Sequence, residues 1–219
     1  MCAMKQKEKS LLEQSEIERR CEEIKLVICN SYKDYYMLQA IEKCNQAVRS
    51  GNAAYFSLIK DSLDYIAILL KNDFGLNVWK IYYEEAGFSN SLSRLINEVN
   101  KNRKKSNLST VKRNKNDIVV SIVKDSLRKM RNTAIAHLDC NRNNMPIAIS
   151  DLKQVLDIAT DDFNSTCDIL SLDDYKVSRS VLAKMEMDTA MGFGTLLKNS
   201  LVDIRLDRAC SNKGESNRK

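Results

Sequence analysis

Residues 117–138 read DIVVSIVKDSLRKMRNTAIAHL. Val119, Val123, Leu127, Met130, Ala134 and Leu138 recur at steps of four and three. That is the period of one face of an α-helix; a half-buried strand would alternate every second residue. Lys124, Asp125, Arg128 and Lys129 fall on the other face. The stretch predicts an amphipathic helix, ended by Asn141 to Asn144 and Pro146. Near its end stands Arg131-Asn132-Thr133-Ala134-Ile135-Ala136-His137, about two turns long, which holds the only histidine of the 219 residues.

The same period extends outward. Upstream, residues 8–49 carry apolar positions from Leu12 to Val48 at three- to five-residue steps, with a break conceivable at Asn30-Ser31. Gly51 suits a left-handed C-terminal cap. Residues 53–71 are apolar on more than one face, which predicts a central helix ended by Asp73-Phe74-Gly75. A short helix is expected to restart over 76–86 with Trp79, Tyr82 and Tyr83. Those aromatics suit core packing, and alternatively a nucleobase-stacking platform. Ser89-Asn90-Ser91 offers an N-cap to a helix built on Leu92, Leu95, Ile96 and Val99. Downstream, 149–170 is a helix with Leu152, Val155, Leu156, Ala159 and Phe163 inward. A last helical stretch spans 175–209, interrupted at Gly192-Phe193-Gly194. The expectation is an all-α bundle with long N-terminal and C-terminal helices, one domain over 1–210, and a disordered polar tail at 211–219.

Composition agrees. One proline and six glycines are too few for the turns of an all-β chain, and 43% hydrophobic residues suffice for a core. Seven cysteines, an odd number without CxxC spacing, read as small buried hydrophobes in a reducing cytosol. The expected location is cytoplasmic: the charged N-terminus is no secretory signal, and no apolar run is long enough to span a membrane. A single histidine and no ligand cluster argue against a metal site, and no cofactor is expected.

The net charge of +6 permits a polyanionic partner. Its densest source is residues 101–116, where Lys101, Arg103, Lys104, Lys105, Lys112, Arg113 and Lys115 occur with no acidic residue. This stretch is a candidate RNA phosphate-binding loop, or else a solvated loop. Seven aspartates lie in 151–174 and read as a solvated acidic face set toward that loop, with a carboxylate metal site as the alternative.

An arginine, an amide and a histidine without an activated Ser or Cys suit transesterification of RNA by its own 2′-hydroxyl. The substrate brings the nucleophile, so the protein supplies proton transfer and charge stabilisation. His137 can take the 2′-OH proton or protonate the leaving 5′-oxygen, since an imidazole titrates near neutrality. Arg131 can hold the phosphate by two hydrogen bonds. Asn132 can orient the ribose or phosphate, and Asp139 can orient the imidazole. In a regular helix six steps set Arg131 and His137 about 120° apart around the axis. A working site therefore needs a loosened helix end or a second copy of the chain, and a homodimer about a two-fold axis supplies two Arg and two His.

Arg131 to His137 resembles the Arg-x(4–6)-His signature of the HEPN superfamily. The wider string Leu127-Arg128-Lys129-Met130-Arg131-Asn132-Thr133-Ala134-Ile135-Ala136-His137-Leu138-Asp139 resembles its abortive-infection-U-type branch, as does Tyr55-Phe56-Ser57-Leu58-Ile59-Lys60-Asp61-Ser62-Leu63. The resemblance covers residues 10–170 and is specific around the motif. It implies a HEPN-like helical bundle, a two-fold dimer, and metal-independent RNA cleavage to a 2′,3′-cyclic phosphate by Arg131, Asn132 and His137. It further implies a toxin or phage-defence effector, with an antitoxin or nucleotidyltransferase as partner. Some members carry a tyrosine two residues after the histidine, which such a transferase modifies; here that residue is Asp139. The alternative is a non-catalytic helical module that binds RNA, a nucleotide or a protein.

Overall fold

A computed structural model describes residues 2–49, 53–83, 91–113, 118–136 and 147–196; for 2–13, 47–49, 53–59, 118 and 130–136 it describes the backbone alone. The described residues are all-helical, without a strand. The order is α1 (Cys2–Arg49), α2 (Ala53–Val78) continuing as a π-helical turn (Trp79–Tyr83), α3 (Leu92–Lys105), α4 (Ile118–Ala136), α5 (Ile149–Leu170), a 3-10 turn (Asp173–Tyr175) and α6 (179–196). The polar tail at 211–219 and the Gly51 cap lie outside the described residues.

α1 is one helix, with no break at Asn30-Ser31. Ser31 is buried, and its hydroxyl donates to the Val27 carbonyl one turn back (2.8 Å). The helix thus satisfies its own buried polar group. Cys21, Ile24, Ile28, Tyr32, Leu38 and Ile41 form its buried face.

The break expected at Asp73-Phe74-Gly75, with a restart at 76, does not occur: α2 runs through it. A helix-interior glycine costs about 1 kcal/mol, while burying a side chain the size of Phe74 returns about 1.5–3 kcal/mol. Phe74 is fully buried. The aromatics beyond it are core, not a stacking platform. Trp79, Tyr82 and Tyr83 are all buried, with Tyr82 edge-on to Tyr83 at 5.3 Å between ring centres.

Hydrogen bonds give the helix directions. The Tyr32 hydroxyl of α1 donates to Asp157 of α5 (2.6 Å), while Tyr35, Leu38 and Ile41 share a groove with Ile149, so α1 and α5 are antiparallel. Ala67 of α2 lines that groove too, and the Tyr82 hydroxyl donates to Asp162 (3.4 Å), so α2 runs parallel to α5. α4 starts beside Tyr83, whose hydroxyl donates to the Val120 carbonyl (2.7 Å). Were α4 parallel to α5, Ala136 would lie about 45 Å from Ile147 at 1.5 Å per residue, whereas the intervening chain reaches about 40 Å. α4 packs on both α2 and α5, and it runs antiparallel to them. Its C-terminal end therefore lies at the end of the bundle where α5 begins.

α6 is also continuous where Gly192-Phe193-Gly194 predicts an interruption. Phe193 is the anchor: it packs in a small cluster with Ile41 of α1 and Leu63 of α2. Leu182 and Met185 pack against the main core. Cys21 and Cys167, fully buried in that core, are free thiols and act as small hydrophobes.

Candidate functional site

α4 is helical through Ala136, so the backbone carries Arg131 and Asn132 within its last two turns. Both follow the exposed Lys124 and Asp125 by seven residues, two helical turns. His137 and Asp139 lie outside the described residues. Upstream, Val123 and Leu127 of the predicted stripe are buried and Val119 is half-buried; Val120, outside that stripe, is buried too, and Lys124, Asp125, Arg128 and Lys129 are exposed. The amphipathic register of α4 holds up to the point where the candidate chemistry begins.

The basic stretch divides into two parts. Lys101 to Lys105 is not loop but the last turn and a half of α3. Lysine and arginine are good helix formers, and positive charge at a helix C-terminus is favoured by its dipole. The N-cap is Ser91, whose hydroxyl accepts from the Arg94 amide (3.3 Å). Lys101, Lys104, Lys105 and Lys112 are exposed. Arg103 folds back onto the Ser109 carbonyl and reaches the Ile169 carbonyl of α5 (3.4 Å). Lys115 lies outside the described residues.

Arg113 points inward. Its guanidinium stacks over Tyr82, 4.8 Å from the ring centre, and donates to the Tyr82 carbonyl (3.0 Å). The Ser93 hydroxyl donates to the same carbonyl (2.6 Å). The last carbonyls of a helix lack intrahelical partners and need others when buried. Arg113 and Ser93 thus cap the end of the α2 helix. Burial, with Asp162 close by, pushes the Tyr82 hydroxyl up to about 12.

The acidic segment is not uniformly solvated. Asp162 is buried beneath Tyr82. Asp157 pairs with Lys153 (2.6 Å) and accepts from Tyr32. Asp168 and Asp173 pair with Lys176. Among the described residues no group of three His, Cys, Asp or Glu is placed to hold a metal ion. None of the described helices is long and apolar enough to cross a membrane.

One feature has no signal in the sequence. A groove of about 490 Å³ opens between α1 and the start of α5, floored by Leu38, Ile41, Ala67 and Ile149. Tyr35, Gln39 and Ser150 line it as well. Local periodicity places these residues on helices but not opposite one another. With α4 antiparallel to α5, this groove and the backbone of Arg131 and Asn132 share one end of the bundle.

No protein-family model matches the chain, and no curated protein or solved structure is detectably similar to it.

Proposed function

We propose that the chain is a metal-independent endoribonuclease of HEPN type, a toxin or phage-defence effector acting as a homodimer in the cytoplasm. The observation that carries this reading is the heptapeptide itself, an Arg-Asn pair in the last two turns of an amphipathic helix, followed in the sequence by the sole histidine. In the proposed reaction the 2′-oxygen of RNA attacks the adjacent phosphorus, the bond to the 5′-oxygen breaks, and a 2′,3′-cyclic phosphate remains. His137 transfers the proton, and Arg131 with Asn132 holds the phosphate. Lys101, Lys104, Lys105 and Lys112, exposed on or beyond α3, supply charge for the RNA backbone.

The test is cleavage of single-stranded RNA by purified protein in EDTA. Wild type should yield 2′,3′-cyclic phosphate ends, and Arg131→Ala or His137→Ala should lose about a hundredfold or more in rate. Equal cleavage by His137→Ala sinks the reading, as does inactivity of the wild type at high concentration.

A non-catalytic binding module is the second reading. It is favoured by the inward use of Arg103 and Arg113, which leaves fewer side chains for phosphate. RNA binding that survives in both variants, without turnover, would select it.

A further inference from the structure

We infer that the groove between α1 and the start of α5 is a nucleobase pocket, and that it reads adenine beside the cleaved phosphate. The inference rests on the ribonuclease reading for its place in a reaction, but the pocket stands on its own geometry.

At about 490 Å³ the groove lies within the range of small-ligand sites, which are mostly apolar with a few placed polar groups. Leu38, Ile41, Ala67 and Ile149 make the apolar surface. Tyr35, half-buried, is a lining residue whose ring is held by Tyr36, Phe74 and the Lys153 ammonium, 5.3 Å from its centre. Gln39 provides the reader. Its amide nitrogen donates one hydrogen to the Tyr35 hydroxyl (2.6 Å), which holds the side chain in place. That leaves its amide oxygen and its second N–H without a partner among the described residues. A fixed acceptor–donor pair matches the N6–H donor and neighbouring ring-nitrogen acceptor of adenine.

Position supplies the link to RNA. α5 begins at Ile149, and α4, antiparallel to it, ends at Ala136 at the same end of the bundle. A base seated against Ile149 and Gln39 would therefore lie at the end of the bundle where the α4 backbone carries Arg131 and Asn132. A single-stranded segment can splay one base into such a groove and leave its backbone outside.

The experiment uses the full chain and two probes. A 2′-O-methyl oligoadenylate of about ten nucleotides cannot undergo 2′-OH attack, so it reports binding alone. Wild type should bind it more tightly than the matching oligocytidylate, and Gln39→Leu should erase about fivefold or more of that preference. Ser150 is exposed at the groove, so Ser150→Trp should block binding without disturbing the core. This second variant decides the matter if Gln39→Leu unfolds. Equal affinity for both oligomers, or no binding by the wild type, overturns the pocket. Cleavage of unmodified RNA is read separately. Gln39→Leu should shift cut sites away from adenine while His137→Ala abolishes cutting. Cutting that needs His137 but ignores Gln39 overturns the pocket and leaves the nuclease standing. Gln39-dependent binding without cutting removes the nuclease and keeps the pocket.

Discussion

Two residues show how buried polar groups hold this bundle. Asp34 of α1 is half-buried, with Oδ2 lacking a hydrogen-bond partner among the described residues. Burial, then the neighbouring Asp73 carboxylate of α2, raises its carboxyl to about 7; the Asn77 amide and Lys33 oppose the shift. The folded state thus binds a proton that the unfolded chain releases near pH 4. This stabilisation is complete below pH 4 and is lost as pH rises through about 7. Asp34→Asn removes the carboxylate that burial disfavours. It should stabilise the protein at pH 8 by on the order of 1–2 kcal/mol, the partial exposure of Asp34 reducing the full shift. At pH 4 the change should be near zero, and urea unfolding at the two pH values measures both. The buried Tyr82 carbonyl makes the second case. Ser93→Ala should cost about 1 kcal/mol, because Arg113 still holds that carbonyl. Arg113→Met should be mild too, since its buried Nε and Nη1 have no hydrogen-bond partner among the described residues. The double variant orphans the carbonyl and should lose more than the sum of the two, which a double-mutant cycle reads as coupling.

At the scale of elements, α2 and α6 both pass through sequences that locally argue for an end. Phe74 carries α2 past Gly75, and Phe193 carries α6 past Gly192. In each case one aromatic side chain, buried against other helices, outweighs the local cost of glycine. Phe193 belongs to a small cluster of its own, apart from the main core. Phe193→Ala should therefore cost about 3 kcal/mol, toward the low end for a buried Phe. The loss should be local. Hydrogen exchange should accelerate along 182–196, while the buried amides of α1 and α5 keep their protection. Uniform acceleration across the chain would show that α6 is not separately latched.

The whole molecule raises the question of pairing. In a regular helix six steps would set Arg131 and His137 about 120° apart around the axis, and the proposed dimer supplies the two side chains from different copies. Sedimentation should give about twice the 25.0 kDa chain mass. Arg131→Ala and His137→Ala chains, each inactive alone, should regain part of the wild-type rate when refolded together, because the mixed dimer keeps one Arg and one His. A 25.0 kDa species that cleaves RNA would overturn the shared site.

The sequence by itself determined the helices. The stripes of α1, α4 and α5, the Ser91 cap and the inward Leu152, Val155, Leu156, Ala159 and Phe163 are all local consequences of a 3.6-residue period. The heptapeptide was legible for the same reason, since the chemistry proposed for it is written in seven adjacent residues; the chain from His137 to Asp139 lies outside the described residues. What only tertiary structure decided is what helices do to each other. Burial against neighbours carried α2 and α6 through their glycines. Arg113 became the cap of a helix distant in sequence, and Asp162 became a core group. The groove exists because α1, α2 and α5 converge, with Gln39 and Ile149 separated by more than a hundred residues along the chain. Periodicity is a property of a few successive residues, whereas a cap, a buried charge or a pocket depends on which distant surfaces meet.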